Sequence, residues 1–240
     1  MKQESGERGP GSALGPMGLA PRRSLVAHVE DVLRQALIEG RLEPGTRLVT
    51  RELADSLGMS ITPVREALVR FVASGVLTAE PSQSFRVPTL DGAQYGEIAE
   101  VRKAVEGLAA AHAAIRISAS GIEQMVELLA RYLAAKSSDD PHLALTLNKE
   151  FRFVLYAAAN MPTLLGVIEM LWLKAGPGFN YLYDGEKRTV TEHANYEDLL
   201  AALRSRDQDG ARKAIEHAID DGAKRVVEAI ARRGEATGAT

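Results

Sequence analysis

The feature that most constrains the fold is a tight turn between two short helical segments at residues 50–75. The first segment, "TRELADSLG", ends at Gly58, and the second begins as "SITPVREAL". Ser60 suits an N-cap, because its hydroxyl can accept hydrogen bonds from free N–H groups of the first turn. Pro63 falls within that turn, where a missing N–H removes no helical hydrogen bond. The sequence therefore predicts a helix–turn–helix unit.

The flanking segments extend this unit. Apolar residues recur at helical spacing over residues 24–39, which predicts a preceding amphipathic helix. Residues 76–79 and 85–87 are typical of short strands around the polar turn "EPSQS". A helix, a helix–turn–helix and a β-hairpin in this order predict a winged helix-turn-helix.

Beyond residue 94 every predicted element is a helix, so we expect a mainly α protein. Its N-terminal winged helix-turn-helix has three helices plus a small β-hairpin, and an antiparallel α-helical bundle follows. We expect disordered tails at 1–20 and 233–240, with the winged helix-turn-helix domain at 21–90 and the helical domain at 94–232. The predicted bundle helices span 94–117, 121–137, 142–159, 162–173 and 190–231, the last one broken near Arg206.

Composition excludes several classes of protein. The chain contains no cysteine, which rules out disulfides and thiolate metal sites. No apolar run approaches the roughly 20 residues that a membrane span needs, and we expect a cytoplasmic protein. Net charge is −3 over the 240 residues, which does not by itself indicate a nucleic-acid partner. Motifs for a phosphate-binding loop or a nucleophile elbow are missing, so we expect neither an enzyme nor a cofactor.

The start of the second helix is equipped to contact DNA. Arg65 can form two hydrogen bonds with guanine O6 and N7 in the major groove. Ser60 and Thr62 can donate to phosphates near the helix N-terminus. The alternative for Arg65 is an ion pair with Glu52 or Glu66 on a solvated face.

Longer motifs make this interpretation more specific. "EGRLEPGTRL", "RELADSLGMS" and "TPVREAL" resemble the DNA-binding domain of the GntR family of bacterial transcription regulators. "EIAEVRKAVEGLAAAHAA" and "NKEFRFVLYAAANMPTLLGVIEMLWLKAGP" resemble the ligand-sensing FCD domain of its FadR-like branch. The resemblance implies that residues 21–90 form a DNA-binding domain and that residues 94–232 form an effector-binding and dimerisation domain. It implies a homodimeric regulator, most simply a repressor, that a small-molecule effector releases from operator DNA. Two alternatives remain open: a DNA-binding dimer without an effector, and a helical enzyme.

Carried over residue by residue, the resemblance implies that Arg51, Thr62 and Arg65 contact operator DNA. Ile61 stands where the family usually has arginine, so an apolar contact with a thymine methyl can replace a polar one. Gln83 is the candidate in the wing, where a basic residue and a glycine are usual.

Many FCD domains bind a divalent metal with an aspartate and three histidines. The corresponding positions here are Asn148, Arg152, Tyr196 and Ala218, while His193 and His217 lie nearby but out of register. We therefore predict no metal site.

Arg152 lies in an apolar run, and a buried guanidinium needs an acidic partner or an anionic ligand. We hypothesise that Arg152 replaces the metal ion and binds a carboxylate effector in bidentate fashion. Arg102 is a second candidate, with an intrahelical pair to Glu106 as its alternative. Asn148, Tyr156 and Tyr196 complete the predicted effector site.

Overall fold

The computed structural model describes residues 22–81, 84–138, 140–183 and 194–238. Within these ranges it contains nine α-helices, one 3₁₀ segment and three short strands. The first half carries α1 (Arg22–Ile38), β1 (Arg47–Val49), α2 (Thr50–Leu57), α3 (Ile61–Ala73), β2 (Thr78–Glu80) and β3 (Ser84–Arg86). The rest carries α4 (Gly92–Arg116), α5 (Ala119–Ser137), α6 (Pro141–Ala158), α7 (Pro162–Ala175), the 3₁₀ segment Gly176–Tyr183, α8 (Ala194–Ser205) and α9 (Gln208–Gly238).

The N-terminal head is a winged helix-turn-helix, as predicted. Gly58 ends α2 in the left-handed conformation, with φ of 63°. This conformation costs glycine little, and it directs the chain into α3 within three residues. Val64 and Leu68 on α3 are fully buried and face the core that α1 shares.

The structure corrects one detail of this turn. Ser60 is the N-cap residue of α3, but its side chain makes no capping hydrogen bond. Its exposed hydroxyl is therefore available to donate to a phosphate of DNA.

The sheet contains a strand that the sequence did not predict. β1 pairs antiparallel with β3, with Leu48 opposite Phe85, and β2 pairs with the other edge of β3. Leu48 and Phe85 are both buried. The wing is therefore a three-stranded sheet in the order β1-β3-β2, and not a hairpin alone.

The C-terminal part is a helical bundle in which α4 packs against α9, α7 and α6. A capping box starts α4: Asp91 accepts from the Gln94 N–H at 2.8 Å, and Gln94 accepts from the Asp91 N–H at 3.0 Å. Positive φ at Arg206 marks the predicted break between α8 and α9. The last helix continues to Gly238, past the predicted end at residue 231.

The C-terminal end of α1 docks the head against the bundle. Gly176 lies so close to the Leu37 carbonyl oxygen that an added Cβ would stand 2.6 Å from it. His142 Nδ1 on α6 lies 3.2 Å from the carbonyl oxygen of Glu39. The 3₁₀ segment and α6 therefore meet the head at one place, directly after its first helix.

Candidate functional site

A cluster of buried charges occupies the centre of the bundle. Glu106 on α4 is fully buried, and Arg102 and Arg152 are 5% and 4% exposed. Arg102 Nε donates to Glu106 Oε1 at 2.6 Å, and Arg152 Nη1 lies 3.5 Å from Glu106 Oε2. The predicted acidic partner of Arg152 is thus Glu106, and Arg102 forms the intrahelical pair that was its alternative interpretation.

Neutral donors complete the shell around Glu106. The hydroxyl of Tyr156 donates to Oε2, and Trp172 Nε1 donates to Oε1 at 3.1 Å. The guanidinium carbon of Arg102 lies 5.0 Å from the centre of the Trp172 ring and 5.3 Å from that of Phe179. A desolvated guanidinium over an aromatic face gains cation–π attraction.

The other side of Arg152 meets the remaining predicted effector residues. Its Nε donates to the Tyr196 hydroxyl at 3.0 Å, and that hydroxyl donates to Asn148 Oδ1 at 2.6 Å. Arg152 Nη1 also donates to the Tyr156 hydroxyl at 3.1 Å. The structure therefore brings all five predicted residues into one network. Sequence reasoning did not include Glu106 and Trp172 in the site, although Glu106 was flagged by its i+4 spacing from Arg102.

Electrostatics favours the charged form of both arginines. Burial disfavours the charged form of Arg102, but Glu106 together with Tyr95 and Tyr156 outweighs it and raises the pKa of the guanidinium. Burial opposes the charge on Arg152 in the same way, and Tyr156, Tyr196 and Glu106 together raise its pKa. Burial, assisted by the charge of Glu106, raises the pKa of Tyr95 to about 12. Tyr95 and Tyr156 therefore stay neutral, while both guanidiniums stay cationic.

Two guanidiniums against one carboxylate leave one positive charge in excess. Among the described residues, Arg102 Nη1 and Arg152 Nη2 have no hydrogen-bond acceptor. No fully enclosed side-chain nitrogen or oxygen in those ranges lacks a partner. These two nitrogens are the donors of the cluster to which an anion would bind.

The residues present do not fit the divalent metal of other FCD domains. At the corresponding positions, the Tyr196 hydroxyl accepts a hydrogen bond from Arg152 and donates one to Asn148. The cationic guanidinium of Arg152 also repels a metal ion. His217 is exposed on α9, and His193 lies outside the described residues. Within the described ranges, no three His, Asp or Glu side chains form a metal-binding group.

The predicted DNA-contacting side chains lie together on the head. All of those within the described residues are exposed: Arg51, Ser60, Ile61, Thr62 and Arg65. The proposed pairing of Arg65 with Glu52 or Glu66 does not occur, whereas Arg70, one turn further along α3, pairs with Glu30 at 2.9 Å. Gln83 lies outside the described residues.

No described helix is both long and apolar enough to cross a membrane.

Comparisons with known proteins agree with both halves of this architecture. A family model described as "Bacterial regulatory proteins, gntR family" matches residues 25–87, and one described as "FCD domain" matches residues 97–221. The chain belongs to the GntR family and carries an FCD domain. It is a transcription regulator and not an enzyme.

Individual relatives support the assignment over most of the chain. The HTH-type transcriptional regulator McbR of Escherichia coli is 40% identical over 194 residues, which cover 80% of this chain and 88% of McbR. A probable D-xylose utilization operon transcriptional repressor of Paenarthrobacter nicotinovorans is 27% identical over 201 residues, covering 82% and 86%. The solved structure of E. coli McbR/YncC superposes with a TM-score of 0.81 at 37% identity, covering 85% of this chain and 97% of that one.

Proposed function

We propose that this GntR-family regulator is a homodimeric repressor that a small carboxylate releases from its operator. The observation that carries the proposal is the uncompensated positive charge at Arg102 and Arg152, deep inside the bundle. A carboxylate at Arg102 Nη1 and Arg152 Nη2 would neutralise that charge and use donors that have no partner among the described residues. Tyr156, Tyr196 and Asn148 would orient it through hydrogen bonds.

The DNA-binding half of the proposal rests on the tip of α3. Arg65 would read a guanine, Ile61 would meet a thymine methyl, and Ser60 and Thr62 would position the helix on phosphates. Arg51 on α2 would contact the phosphate backbone of the DNA, and Gln83 would contact the same backbone from the wing. The exposure of Arg65 without a protein partner supports this role, because an unpaired guanidinium is ready to bind DNA without first breaking an ion pair.

A continuous set of contacts connects the proposed ligand site to the head. Glu106 accepts from Trp172, whose ring meets Phe179 edge-on with centroids 5.4 Å apart. Phe179 belongs to the 3₁₀ segment that begins at Gly176, against the α1 carbonyl of Leu37. A carboxylate that competes with Glu106 for the guanidiniums would shift these rings. It would thereby favour a different head position through its differential affinity for the two states.

The test measures ligand binding and operator binding separately. An operator is first selected from random duplexes with purified protein, and its affinity is measured by fluorescence anisotropy at fixed salt, because phosphate contacts make affinity salt-dependent. Acetate, lactate, succinate and gluconate are then titrated against the neutral amides acetamide and lactamide. We expect one or more carboxylates, and neither amide, to raise the melting temperature and weaken operator binding.

Arg152→Gln supplies the decisive variant, since it removes the excess charge while Arg102 and Glu106 remain paired. We expect it to fold and to bind the operator, but to lose the response to the carboxylate. An unchanged ligand affinity in this variant would exclude Arg152 from the site.

A second candidate is a DNA-binding dimer without an effector. It is favoured by the fact that Glu106 already accepts hydrogen bonds from four side chains, so the cluster is largely self-satisfied. Sequence-specific operator binding that no carboxylate alters would support this candidate.

A further inference from the structure

The exposed face of α3 continues past the helix tip that is proposed to contact DNA. Over residues 61–70 the helix alternates between two exposed and two buried positions. Residues four apart lie one above the other on a helix, so the exposed positions form two rows. One row is Ile61, Arg65 and Val69, and the other is Thr62, Glu66 and Arg70. The second row ends against α1, where Arg70 pairs with Glu30 at 2.9 Å. The first row, called the Arg65 row below, runs along exposed surface throughout.

Val69 projects toward the same side of α3 as the proposed DNA contacts. Each residue of a helix turns the side chain by about 100°, which places Val69 within about 10° of the direction midway between Thr62 and Arg65. Along the helix axis Val69 lies about 6 Å beyond Arg65, as far as Ile61 lies before it. A surface that contacts Thr62 and Arg65 in a groove therefore extends directly over Val69.

Both ends of the Arg65 row are large, apolar and uncovered. Ile61 is 45% exposed, and Val69 is 50% exposed, the highest value among the large apolar side chains of the described residues. Neither packs against the hydrophobic core, whereas Val72, about one turn further along, does. Isoleucine and valine are also weaker helix formers than leucine, lysine or glutamate. Neither the core nor the helix accounts for these two residues, and their continuity with the helix tip indicates that DNA covers them.

The major groove offers one apolar feature to such side chains, the C5-methyl group of thymine. A valine against that methyl removes apolar surface from water on both partners. Against a G·C pair it would instead deprive guanine O6 or cytosine N4 of water without supplying a hydrogen bond. A distance of about 6 Å along α3 corresponds to about one or two base-pair steps of 3.4 Å. Thymine methyls are therefore expected at this distance on either side of the base that Arg65 reads.

We propose that Val69 is a further base-reading residue of this regulator. Together with Ile61, it reads thymine methyls on the two sides of the guanine that Arg65 reads. The operator half-site is then a guanine flanked on both sides, at one or two base pairs, by A·T pairs that present a methyl group to α3. The inference rests on the proposed binding of α3 to the operator, and it adds the base pattern that this binding selects.

Changes of single methyl groups in the DNA test the contact directly. In one half-site of the operator selected from random duplexes, each thymine is replaced in turn by deoxyuridine, which lacks only the C5-methyl group. We expect two positions, one on each side of the guanine, where this change weakens wild-type binding about threefold to tenfold. A half-site in which no deoxyuridine weakens binding would overturn the proposal. Cytosine at the position assigned to Val69 should bind more weakly than 5-methylcytosine, which restores the methyl on a G·C pair.

Val69→Ala assigns one of the two methyl groups to its side chain. The variant should bind the thymine operator about threefold to tenfold more weakly than the wild type does, and it should match the wild type on the deoxyuridine duplex. Alanine is a better helix former than valine, so the substitution does not endanger α3. Val126→Ala on α5, at a position 38% exposed, is the matched control and should bind every duplex as the wild type does. Equal losses on both duplexes, or no loss on either, would show that Val69 reads no methyl group.

Ile61→Ala should give the same result at the other methyl position. Val69→Arg adds a positive readout, since a selection with this variant should recover guanine in place of the A·T pair at its position. A selection that still recovers thymine there would contradict the contact.

Arg65→Ala separates this inference from the proposed function. A wild-type protein that prefers no DNA sequence would refute both. If Arg65→Ala loses base selectivity while Val69→Ala behaves as the wild type on every duplex, operator binding through α3 stands and only the reading of a methyl group by Val69 is refuted. The response to carboxylates is measured separately on the same proteins.

Discussion

Glu106 is the residue on which the buried cluster depends, because it is the single described carboxylate that meets both buried guanidiniums. Its two oxygens accept hydrogen bonds from Arg102, Arg152, Tyr156 and Trp172. Removing a carboxylate that faces two buried cations costs far more than removing one of the cations, since the unpaired charges stay in a medium of low polarity. The charge balance therefore predicts an order of stability among variants.

We expect Glu106→Gln to lower the free energy of unfolding by about 3–5 kcal/mol, as breaking a buried ion pair does. Arg152→Gln should cost only about 1–2 kcal/mol, because the remaining pair of Arg102 and Glu106 is neutral overall and chiefly hydrogen bonds are lost. Urea denaturation of both variants measures the difference. Glu123→Gln, at an exposed position on α5, is the control and should change stability by less than about 0.5 kcal/mol. Equal losses for the first two variants would show that Glu106 does not balance both arginines.

The two exposed arginines of the head should differ in what they contribute to DNA binding. Arg65→Ala is expected to weaken operator binding by about 1–3 kcal/mol and to relax the preference for one base position, as loss of a bidentate guanine contact does. Arg51→Ala should instead weaken binding to all sequences. It should also lower the slope of the logarithm of the binding constant against the logarithm of salt concentration by about 1. Anisotropy titrations over a salt series, on the operator and on a scrambled duplex, separate the two effects. Equal losses on both duplexes for Arg65→Ala would remove it from base reading.

At the scale of elements, local sequence signals predicted the helices well and the sheet only in part. Proline, glycine and capping residues are local signals, and the helix order and most boundaries follow from them. The strand β1 has only three residues, beside a Pro44-Gly45 turn, and it exists because Leu48 pairs with Phe85 across the sheet. That pairing is tertiary, so no local pattern reveals it.

The same limit applies to the buried cluster. An apolar run around Arg152 indicated that a buried cation needs a partner, but it could not name one 46 residues away in the chain. Glu106 became a candidate only through its spacing from Arg102. Trp172 carried no signal beyond its size, since its N–H finds Glu106 only after α7 has packed on α4.

The 3₁₀ segment packs so closely against α1 that it leaves no room for a larger residue at Gly176. Gly176 has ordinary helical backbone angles, so the effect of a larger residue there is steric and not conformational. A Cβ would meet backbone atoms of Leu37 and Ile38 at 2.6 Å and 3.1 Å, which cannot rotate away. The head and the bundle must separate slightly to accept it.

We therefore expect Gly176→Ala to destabilise the protein by about 1–3 kcal/mol, as overpacking does. It should also reduce the effect of a bound carboxylate on operator affinity, because the segment next to α1 is displaced. Gly166→Ala is the matched control on α7, where no atom lies within 4 Å and alanine should stabilise the helix by about 0.5–1 kcal/mol. Urea denaturation and anisotropy on both variants check this. A Gly176→Ala protein with full stability and full ligand response would show that this contact does not transmit the signal.

At the scale of the whole molecule, the proposed dimer fixes two heads on one rigid unit. Each head docks on its own bundle through α1, and a two-fold axis would relate the two chains of the proposed homodimer. Recognition helices related in this way fit half-sites about 34 Å apart, one turn of the duplex. Operator symmetry and spacing are then consequences of the protein interface.

We expect an insertion of five base pairs between the half-sites to reduce operator affinity at least 100-fold, because the half-sites then lie on opposite faces of the duplex. An insertion of ten base pairs should also weaken binding, since the rigid dimer cannot extend by a full turn. Anisotropy at fixed salt provides the measurement. Equal affinity of the wild type for the original and the five-base-pair duplex would show that the heads are not held in a fixed relation.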